Sequence, residues 1–266
     1  MLLELIVNAG FEILENLLQL IISSAVSVGL YYTLRQRLKI IESRPADIFL
    51  IILAALLGML LPLNIFGLLP VFFVFLRLGL KPYHVLPALC SNIIFNMLVP
   101  LKDPTFVFRT GYIRVITAFV TALAAGVALM YFKRVREILL IKKVPEMPDE
   151  AFGLFTVLKH IHHSINFMGG YVICGVLVNC IFSEYILYPL TSGLAGNRHT
   201  AFIPRYMARF DVVNPVFLMT LCIAYSLLNF VNLSALSMIL KPKGIALFIG
   251  YYIAWAVLLG MSIFIL

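Results

Sequence analysis

Two cysteines, Cys90 and Cys222, are the residues whose type and location point most directly to chemistry. Each lies inside an apolar stretch and follows a leucine. Thiolates are polarisable and bind soft ions such as Hg(II), Cu(I) or As(III). If the chain folds as two related halves, an approximate two-fold axis would bring these two sulfurs together as metal ligands. The alternative, a small buried hydrophobic side chain, stays open for this pair and is preferred for Cys174 and Cys180.

Polar side chains accompany the two thiols in both halves of the chain. Asn92 and Asn96 are four residues apart and therefore share one face of a helix. Inside a membrane such amides commonly hold helices together. Since both halves carry them beside a broken segment, we predict that they line a path for a solute. The predicted lining residues are Ser91, Asn92, Asn96, Ser226 and Asn229.

Membrane-spanning helices are the elements that must hold these residues. Apolar residues make up 62% and charged residues 12% of the 266 residues, against about 45–50% and about 25% in soluble domains. The net charge of +8 comes from basic residues in short loops beside apolar stretches, which is typical of orientation signals rather than of a nucleic-acid surface. The sequence predicts a multi-pass protein of the cell membrane, whose partner is the lipid bilayer and not a nucleic acid.

The apolar region 47–80 is too long for one crossing and too short for two, which need about 40 residues. Pro62, Gly67 and Pro70 interrupt it and break a helix. We predict a re-entrant hairpin that enters from the cytoplasm and turns near mid-membrane at Asn64 and Gly67. The main chain at this tip must be buried in protein or line a cavity, because lipid offers it no hydrogen bonds. Asn64 and Gly67 are therefore predicted to form part of the solute path.

A second broken segment, residues 188–210, has two interpretations. Its prolines and glycines favour another re-entrant hairpin, whose tip would carry Thr191, Ser192 and Asn197. Arg198 and His199 instead favour a loop outside the membrane, because charge at the bilayer centre is costly. The sequence leaves both open.

The same order of elements recurs in the two halves, with paired features offset by 132 to 134 residues. Each half reads as one span, a broken hairpin and two further spans. Three crossings per half is an odd number, so the second half must be inverted and both termini lie outside. We predict an all-α integral membrane protein of two inverted-topology repeats, each with a re-entrant broken hairpin plus three transmembrane helices. This architecture is typical of secondary transporters.

The predicted divisions are a first repeat over 1–132, a cytoplasmic linker over 133–160 and a second repeat over 161–266. The predicted spans are 11–33, 84–101, 111–132, 165–187, 215–240 and 245–266.

Several short motifs follow one another in the first half. They are Pro62-Leu63-Asn64-Ile65-Phe66-Gly67-Leu68-Leu69-Pro70, Leu76-Arg77-Leu78-Gly79, Leu89-Cys90-Ser91, Asn96, and Arg114 opening a span that contains Gly126. This order resembles the ArsP-type predicted permeases, described as exporters of organoarsenicals and other heavy-metal or metalloid species. The resemblance implies two related halves, each with a broken hairpin followed by a polar-lined span.

One departure from that family bears on the substrate. Many members carry Cys-x-Cys-Gly before the second proline of the first hairpin, where this chain has Asn64, Ile65, Phe66 and Gly67. Either the metal ligands have moved to Cys90 and Cys222, or the substrate is not thiophilic. The resemblance therefore supports a permease more firmly than a metal substrate.

These observations predict a secondary permease, not an enzyme. Its substrate would be a soft metal or metalloid species, such as mercury or arsenic, that follows a thiol- and amide-lined central path. The sequence contains no nucleotide-binding loop, nucleophile elbow or His-Glu-x-x-His motif, and we expect no cofactor. A homo-oligomer and an accessory soluble subunit are both left open as partners.

Two other functions stay open. A permease for a small anion, without thiol involvement, is favoured by the positive net charge and by Arg198, His199 and Arg205. A membrane enzyme or assembly subunit would instead use residues such as His162 and His163. This last reading predicts no continuous polar cavity between the halves.

Overall fold

The computed structural model describes residues 2–35, 44–95, 97, 108–138, 152–182, 223 and 229–262. Helices make up nearly all of these residues, and no strand occurs among them. The predicted all-α class is therefore confirmed. In chain order the helices are α1 (Leu2–Arg35), α2 (Arg44–Leu60), α3 (Ile65–Arg77), α4 (Pro82–Ile94), α5 (Phe108–Tyr131), α6 (Lys133–Ile138), α7 (Leu154–Phe182), α8 (Phe230–Ile239) and α9 (Pro242–Ser262).

Among the described residues, three helices are long and apolar enough to cross a membrane. The qualifying stretches are Leu3–Arg35, Arg114–Tyr131 and Leu154–Phe182, within α1, α5 and α7. Large apolar side chains such as Phe11 and Ile173 are exposed on them, and lipid is the solvent that can cover such a surface. Their length and composition are those of transmembrane helices.

A four-residue break, residues 61–64, separates α2 from α3. Helix α4 runs parallel to α2, because His84 contacts Asp47 near the start of both helices and Asn92 contacts Gly58 near the end of both. Helix α3 must therefore run back from the break to the end where α2 began. With 17 and 13 residues, α2 and α3 are about 25 and about 20 Å long, less than a hydrocarbon core of about 30 Å.

The open end of this hairpin is closed by an Asp–His contact. The His84 Nδ1 accepts the Lys81 backbone N–H at 3.3 Å, so its Nε2 donates to the Asp47 Oδ1 at 2.7 Å. The Tyr83 hydroxyl donates to the other oxygen of Asp47 at 3.4 Å. Gly79, with φ of 92°, makes the turn between α3 and α4, a left-handed conformation that favours glycine after a helix.

Helix α4 is shorter than the predicted span at 84–101. It ends at Ile94, and Phe95 has extended backbone angles of φ −149° and ψ 134°. The Arg114 guanidinium of α5 donates to the Ile94 carbonyl at 3.1 Å, which stabilises this early end. The apolar composition indicated a full crossing, whereas α4 is a helix of 13 residues, about 20 Å long.

The two longest helices, α1 and α7, pack antiparallel along each other. Ser27 of α1 contacts His160 of α7 at 3.5 Å, and the Cys180 thiol reaches Glu12 at 3.8 Å. Helix α7 begins at Leu154, so the last seven residues of the predicted linker 133–160 are helical. Burial of Thr156 and His160 against the bundle explains why a polar stretch continues the helix instead of forming a loop.

Glycines bring the helices close together at three places. A Cβ on Gly58 of α2 would collide with the Ala88 carbonyl and the Ser91 hydroxyl of α4. A Cβ on Gly126 would lie 2.6 Å from Ile51, and one on Gly175 would lie 2.7 Å from Ser234. Small residues allow such close packing, which replaces the hydrophobic effect as the source of helix association in lipid.

One end of the helix bundle is basic. Helices α4 and α9 begin at this end, and α6 follows the end of α5 there. Two contacts of α6 show this. Arg136 lies over the Tyr83 ring at the start of α4, 5.5 Å from its centroid, and Val135 shares a cavity with Ala246 and Leu247 of α9. We call this the basic end. Its cations among the described residues include Arg77, Lys81, Lys133, Arg134, Arg136, Lys241 and Lys243.

Candidate functional site: an amide cluster at the helix break

The N-terminus of α3 is capped by Asn64, the last residue of the break. The Asn64 Oδ1 accepts the Gly67 N–H at 2.7 Å, and its own carbonyl accepts from Leu68 at 2.9 Å. The first N–H groups of a helix have no partner within the helix, and an Asn cap supplies one. The break thus ends in a defined helix start and not in a disordered bend.

Two amides of α1 hold this cap from the outside. The Gln19 Oε1 accepts the Asn64 backbone N–H at 2.6 Å, and the Asn16 Oδ1 accepts from the Asn64 side-chain amide at 2.6 Å. A Cβ on Gly67 would lie 3.3 Å from both the Gln19 and the Asn64 side chains. A Cβ at residue 67 would therefore require these side chains to move by a few tenths of an ångström.

A fourth amide closes the break from the side of α4. The Asn92 Nδ2 donates to the carbonyl of Gly58 at 2.9 Å and to that of Leu63 at 3.0 Å. These carbonyls lie at the end of α2 and inside the break, where the helical pattern leaves acceptors without partners. We call Asn16, Gln19, Asn64 and Asn92 the amide cluster.

The structure brings some of the predicted site residues together and separates others. Asn64, Gly67 and Asn92 meet at the break. The Ser91 hydroxyl also packs against Gly58, but it donates to the Ala88 carbonyl at 3.1 Å. Asn96, Cys222 and Ser226 lie outside the described residues, as do residues 188–210 of the second predicted hairpin.

A second short helix begins in a similar way. Asn229 caps α8, and its Oδ1 accepts from Val231 at 3.0 Å and from Asn232 at 3.4 Å. The Asn179 Oδ1 of α7 accepts the Phe230 N–H at 3.2 Å. The predicted site residue Asn229 is thus a helix cap supported by an amide of a long helix.

Polar residues continue from the amide cluster along the seam between α1 and α7. Ser23, Ser24 and Ser27 of α1 are buried, as are Thr156, His160 and Ser164 of α7. The Ser27 hydroxyl donates to the Ser24 carbonyl at 2.8 Å. Within the described part of the chain, the His160 Nδ1 and the Ser24 hydroxyl have no hydrogen-bond partner, which is unusual for buried polar atoms.

Cys90 lies in different surroundings. Its side chain is buried and forms part of the wall of a largely apolar cavity between α4, α5, α6 and α9. Its carbonyl accepts the Tyr252 hydroxyl at 3.0 Å. Cys174 is exposed.

No group of three His, Cys, Asp or Glu side chains that could hold a metal occurs within the described ranges. The pairing of Cys90 with Cys222 stays a prediction.

Sequence reasoning missed the partners that α1 and α7 supply. Asn16, Gln19, Ser23 and Ser27 are spaced by three, four and four residues, which places them on one face of a helix. This spacing was the available signal for a polar stripe on α1. Asn179, an isolated amide on α7, carried no comparable signal.

Comparisons with known proteins give no identity. No protein-family model, curated protein or solved structure matches this chain. The resemblance to the ArsP-type permeases therefore stays a prediction.

Proposed function

We propose that this chain is a secondary permease in which a small solute crosses at the amide cluster. The observation that carries the proposal is the helix break held at Asn64 by Gln19. Gln19 lies at the middle of the 34-residue α1, so the break is level with the middle of the longest candidate span. Main chain interrupted at that depth is tolerated where it faces protein or a cavity.

The proposal includes re-entry of the α2–α3 hairpin from the basic end. Its support is the length of the two helices and the Asp47–His84 contact at the hairpin base. An inverted duplication is part of the same proposal. The antiparallel packing of α1 and α7, which are the first long helix of each half, is what such a duplication requires.

For an anion the amides alone contact the solute in this proposal, and for a soft metal or metalloid a thiol contacts it as well. The cluster combines N–H donors and carbonyl acceptors at one place, and Cys90 faces an apolar cavity elsewhere. Glu15, which accepts from Gln19 at 3.4 Å, adds a carboxylate beside the cluster. A small solute that forms hydrogen bonds is the class that such a lining suits.

Two substrate classes follow from separate observations. A soft metal or metalloid species is favoured by the buried Cys90 thiol and by Cys222 at the matching place in the second half. A small anion is favoured by the N-termini of α3 and α8, since a helix carries a partial positive charge there. The two classes differ in whether transport needs a thiol.

Flux into proteoliposomes tests both the path and the substrate class. The solutes are arsenite, Hg(II), chloride and phosphate, and the variants are Asn64→Ala, Gln19→Ala and one with all four cysteines changed to serine. We expect the two amide variants to lower flux about tenfold, the effect of one lost hydrogen bond of about 1.4 kcal/mol. Asn166→Ala, an exposed amide on α7 away from the break, is the matched control.

The outcomes separate the alternatives. Loss of arsenite or Hg(II) flux in the cysteine-free variant supports the metal or metalloid class, and retained flux of chloride or phosphate supports the anion class. Folded Asn64→Ala and Gln19→Ala proteins that move every solute at the normal rate would refute the amide path.

A further inference from the structure

The cavity that contains Cys90 has properties that the proposed path does not use. Its volume is about 430 Å³. Side chains of α4, α5, α6 and α9 line it, and almost all of them are apolar. It extends from Val135 and Ala246, near the basic end, to Cys90 and Tyr251. Along α9 five of the six residues from Ala246 to Tyr251 line it, over a depth of about 7 Å.

Cations surround the end of the cavity that lies near Val135. Helix α6 contributes Lys133, Arg134 and Arg136, and the start of α9 contributes Lys241 and Lys243. Lys243 precedes the lining residues Ala246 and Leu247 by three and four residues, so it lies on the face of α9 that borders the cavity. Lys133, Arg134, Lys241 and Lys243 are exposed.

Negative charge at this rim is sparse. Glu137 is the acidic residue of α6, and it lies 4.0 Å from Lys133 with both side chains largely exposed. An exposed pair of this kind is weak. A second carboxylate at this end, Asp47, is bonded to His84 and Tyr83. The described rim therefore combines five cations with one exposed carboxylate, directly beside an apolar cavity.

We propose that this cavity binds an anionic phospholipid. Lys243 and Arg134 hold the phosphate, and one acyl chain enters the cavity between α5 and α9. Charge complementarity selects the headgroup, because clustered Lys and Arg next to membrane helices attract anionic lipids. Burial of the chain against apolar walls favours a lipid over a free phosphate, which has no tail to remove that surface from water. This site is independent of the proposed transport function.

Trp255, the one tryptophan of the chain, reports on the cavity. Its ring lies edge-on to the ring of Tyr251, with centroids 6.4 Å apart, and Tyr251 lines the deep end. Full-length protein is placed in phosphatidylcholine nanodiscs. One series contains a small fraction of phosphatidylglycerol brominated in mid-chain, and the other contains the same fraction of phosphatidylcholine brominated in mid-chain. Bromine quenches indole fluorescence on contact, so the quenching curve measures occupancy near Trp255.

We expect brominated phosphatidylglycerol to quench Trp255 at a concentration at least fivefold below that of brominated phosphatidylcholine. Lys243→Gln and Arg134→Gln should each reduce this preference about fivefold, the effect of one cation at a membrane surface. The matched control is Arg35→Gln with Lys159→Gln, which removes two cations from α1 and α7. Added glycerol phosphate should not compete, because it lacks a chain.

A second variant tests the apolar part without touching charge. Gly250 lines the cavity, and a Cβ there would meet no atom within 4 Å. Gly250→Leu should fill the cavity and abolish the extra quenching by phosphatidylglycerol, whereas Gly29→Leu, equally open on α1, should not. Equal quenching by the two lipids in the unmodified protein overturns the site. So does an unchanged preference in the folded charge variants or in Gly250→Leu.

Discussion

The amide cluster at the break and the cavity around Cys90 are opposites in chemistry. At the break, four amides from α1, α4 and the break itself bond to one another and to interrupted main chain, at distances of 2.6 to 3.0 Å. Around Cys90, apolar side chains leave about 430 Å³ of space. Both regions border α4, through Asn92 and Cys90, which are two residues apart.

This difference shows how one short helix can serve two environments. Residues two apart on a helix point in directions about 160° different, so Asn92 and Cys90 lie on opposite sides of α4. Buried main chain must be paired with polar groups, and this requirement concentrates the amides on one side of α4. The other side is free to be apolar. The comparison assigns hydrogen bonding to one region and hydrophobic contact to the other.

The largest effect should come from Asn64→Ala. The change removes the cap of α3 and the donor to Asn16, so a buried acceptor and a helix N–H both lose their partners. We expect a loss of about 2–3 kcal/mol in the free energy of unfolding, measured by denaturant titration in detergent. A change below about 0.5 kcal/mol, no larger than in Asn166→Ala, would mean that the cluster does not hold the break.

Gly58→Ala should have the next largest effect. The new Cβ would collide with the Ala88 carbonyl and the Ser91 hydroxyl, forcing α2 away from α4 at the level of Asn92. Overpacking of this kind costs about 1–3 kcal/mol. Thermal unfolding in detergent measures it, with Gly170→Ala, which has open space around its Cβ, as control. Adding Ser91→Ala should not restore stability, because the carbonyl remains; full recovery would assign the clash to the side chain alone.

Asn229→Ala should cost less, about 1 kcal/mol. This cap serves α8 with its own side chain, and Asn179 continues to accept the Phe230 N–H. The same unfolding titration compares it with Asn64→Ala. Equal losses of unfolding free energy at the two caps would show that the amides from α1 and α4 do not stabilise the first break beyond its Asn64 cap.

Cys90→Ala should have the smallest effect. One buried sulfur is lost next to an existing cavity, which we expect to cost about 1 kcal/mol or less. Flux of solutes carried at the amide cluster should not change. If arsenite or Hg(II) flux instead falls tenfold in Cys90→Ala while Asn64→Ala transports normally, the assignment of the two regions is reversed.

Several features of the fold followed from residue types alone. Pro62, Gly67 and Pro70 were all predicted to break the helix in the region 47–80, and the structure has a break at residues 61–64, which contain Pro62. The prediction was wrong for Gly67 and Pro70, which lie inside α3. The predicted boundaries were less accurate at α4, whose helix ends at Ile94, and at α7, which begins inside the predicted linker. Both errors arise from tertiary contacts, with Arg114 stabilising the end of α4 and α1 burying the polar start of α7.

Some residues of the amide cluster could also be predicted from the sequence, and others could not. Asn64, Gly67 and Asn92 could be selected because amides and glycine near a broken apolar segment are rarely accidental. Asn16 and Gln19 could not be assigned to them, since 48 and 45 residues separate these partners from Asn64. Helical spacing shows which residues share a face, but it carries no information on which other helix that face meets.

Composition by itself determined that this chain is helical and suited to lipid, because so few charges cannot cover so much apolar surface in water. Pro62 determined where its helix must break, because proline removes a main-chain hydrogen bond and clashes with the preceding turn. Only the tertiary structure decided that α1 supplies the missing hydrogen bonds at that break and that Cys90 faces away from it. Those outcomes depend on how helices distant in the chain pack together, and packing is a property of shapes in space rather than of neighbouring residues.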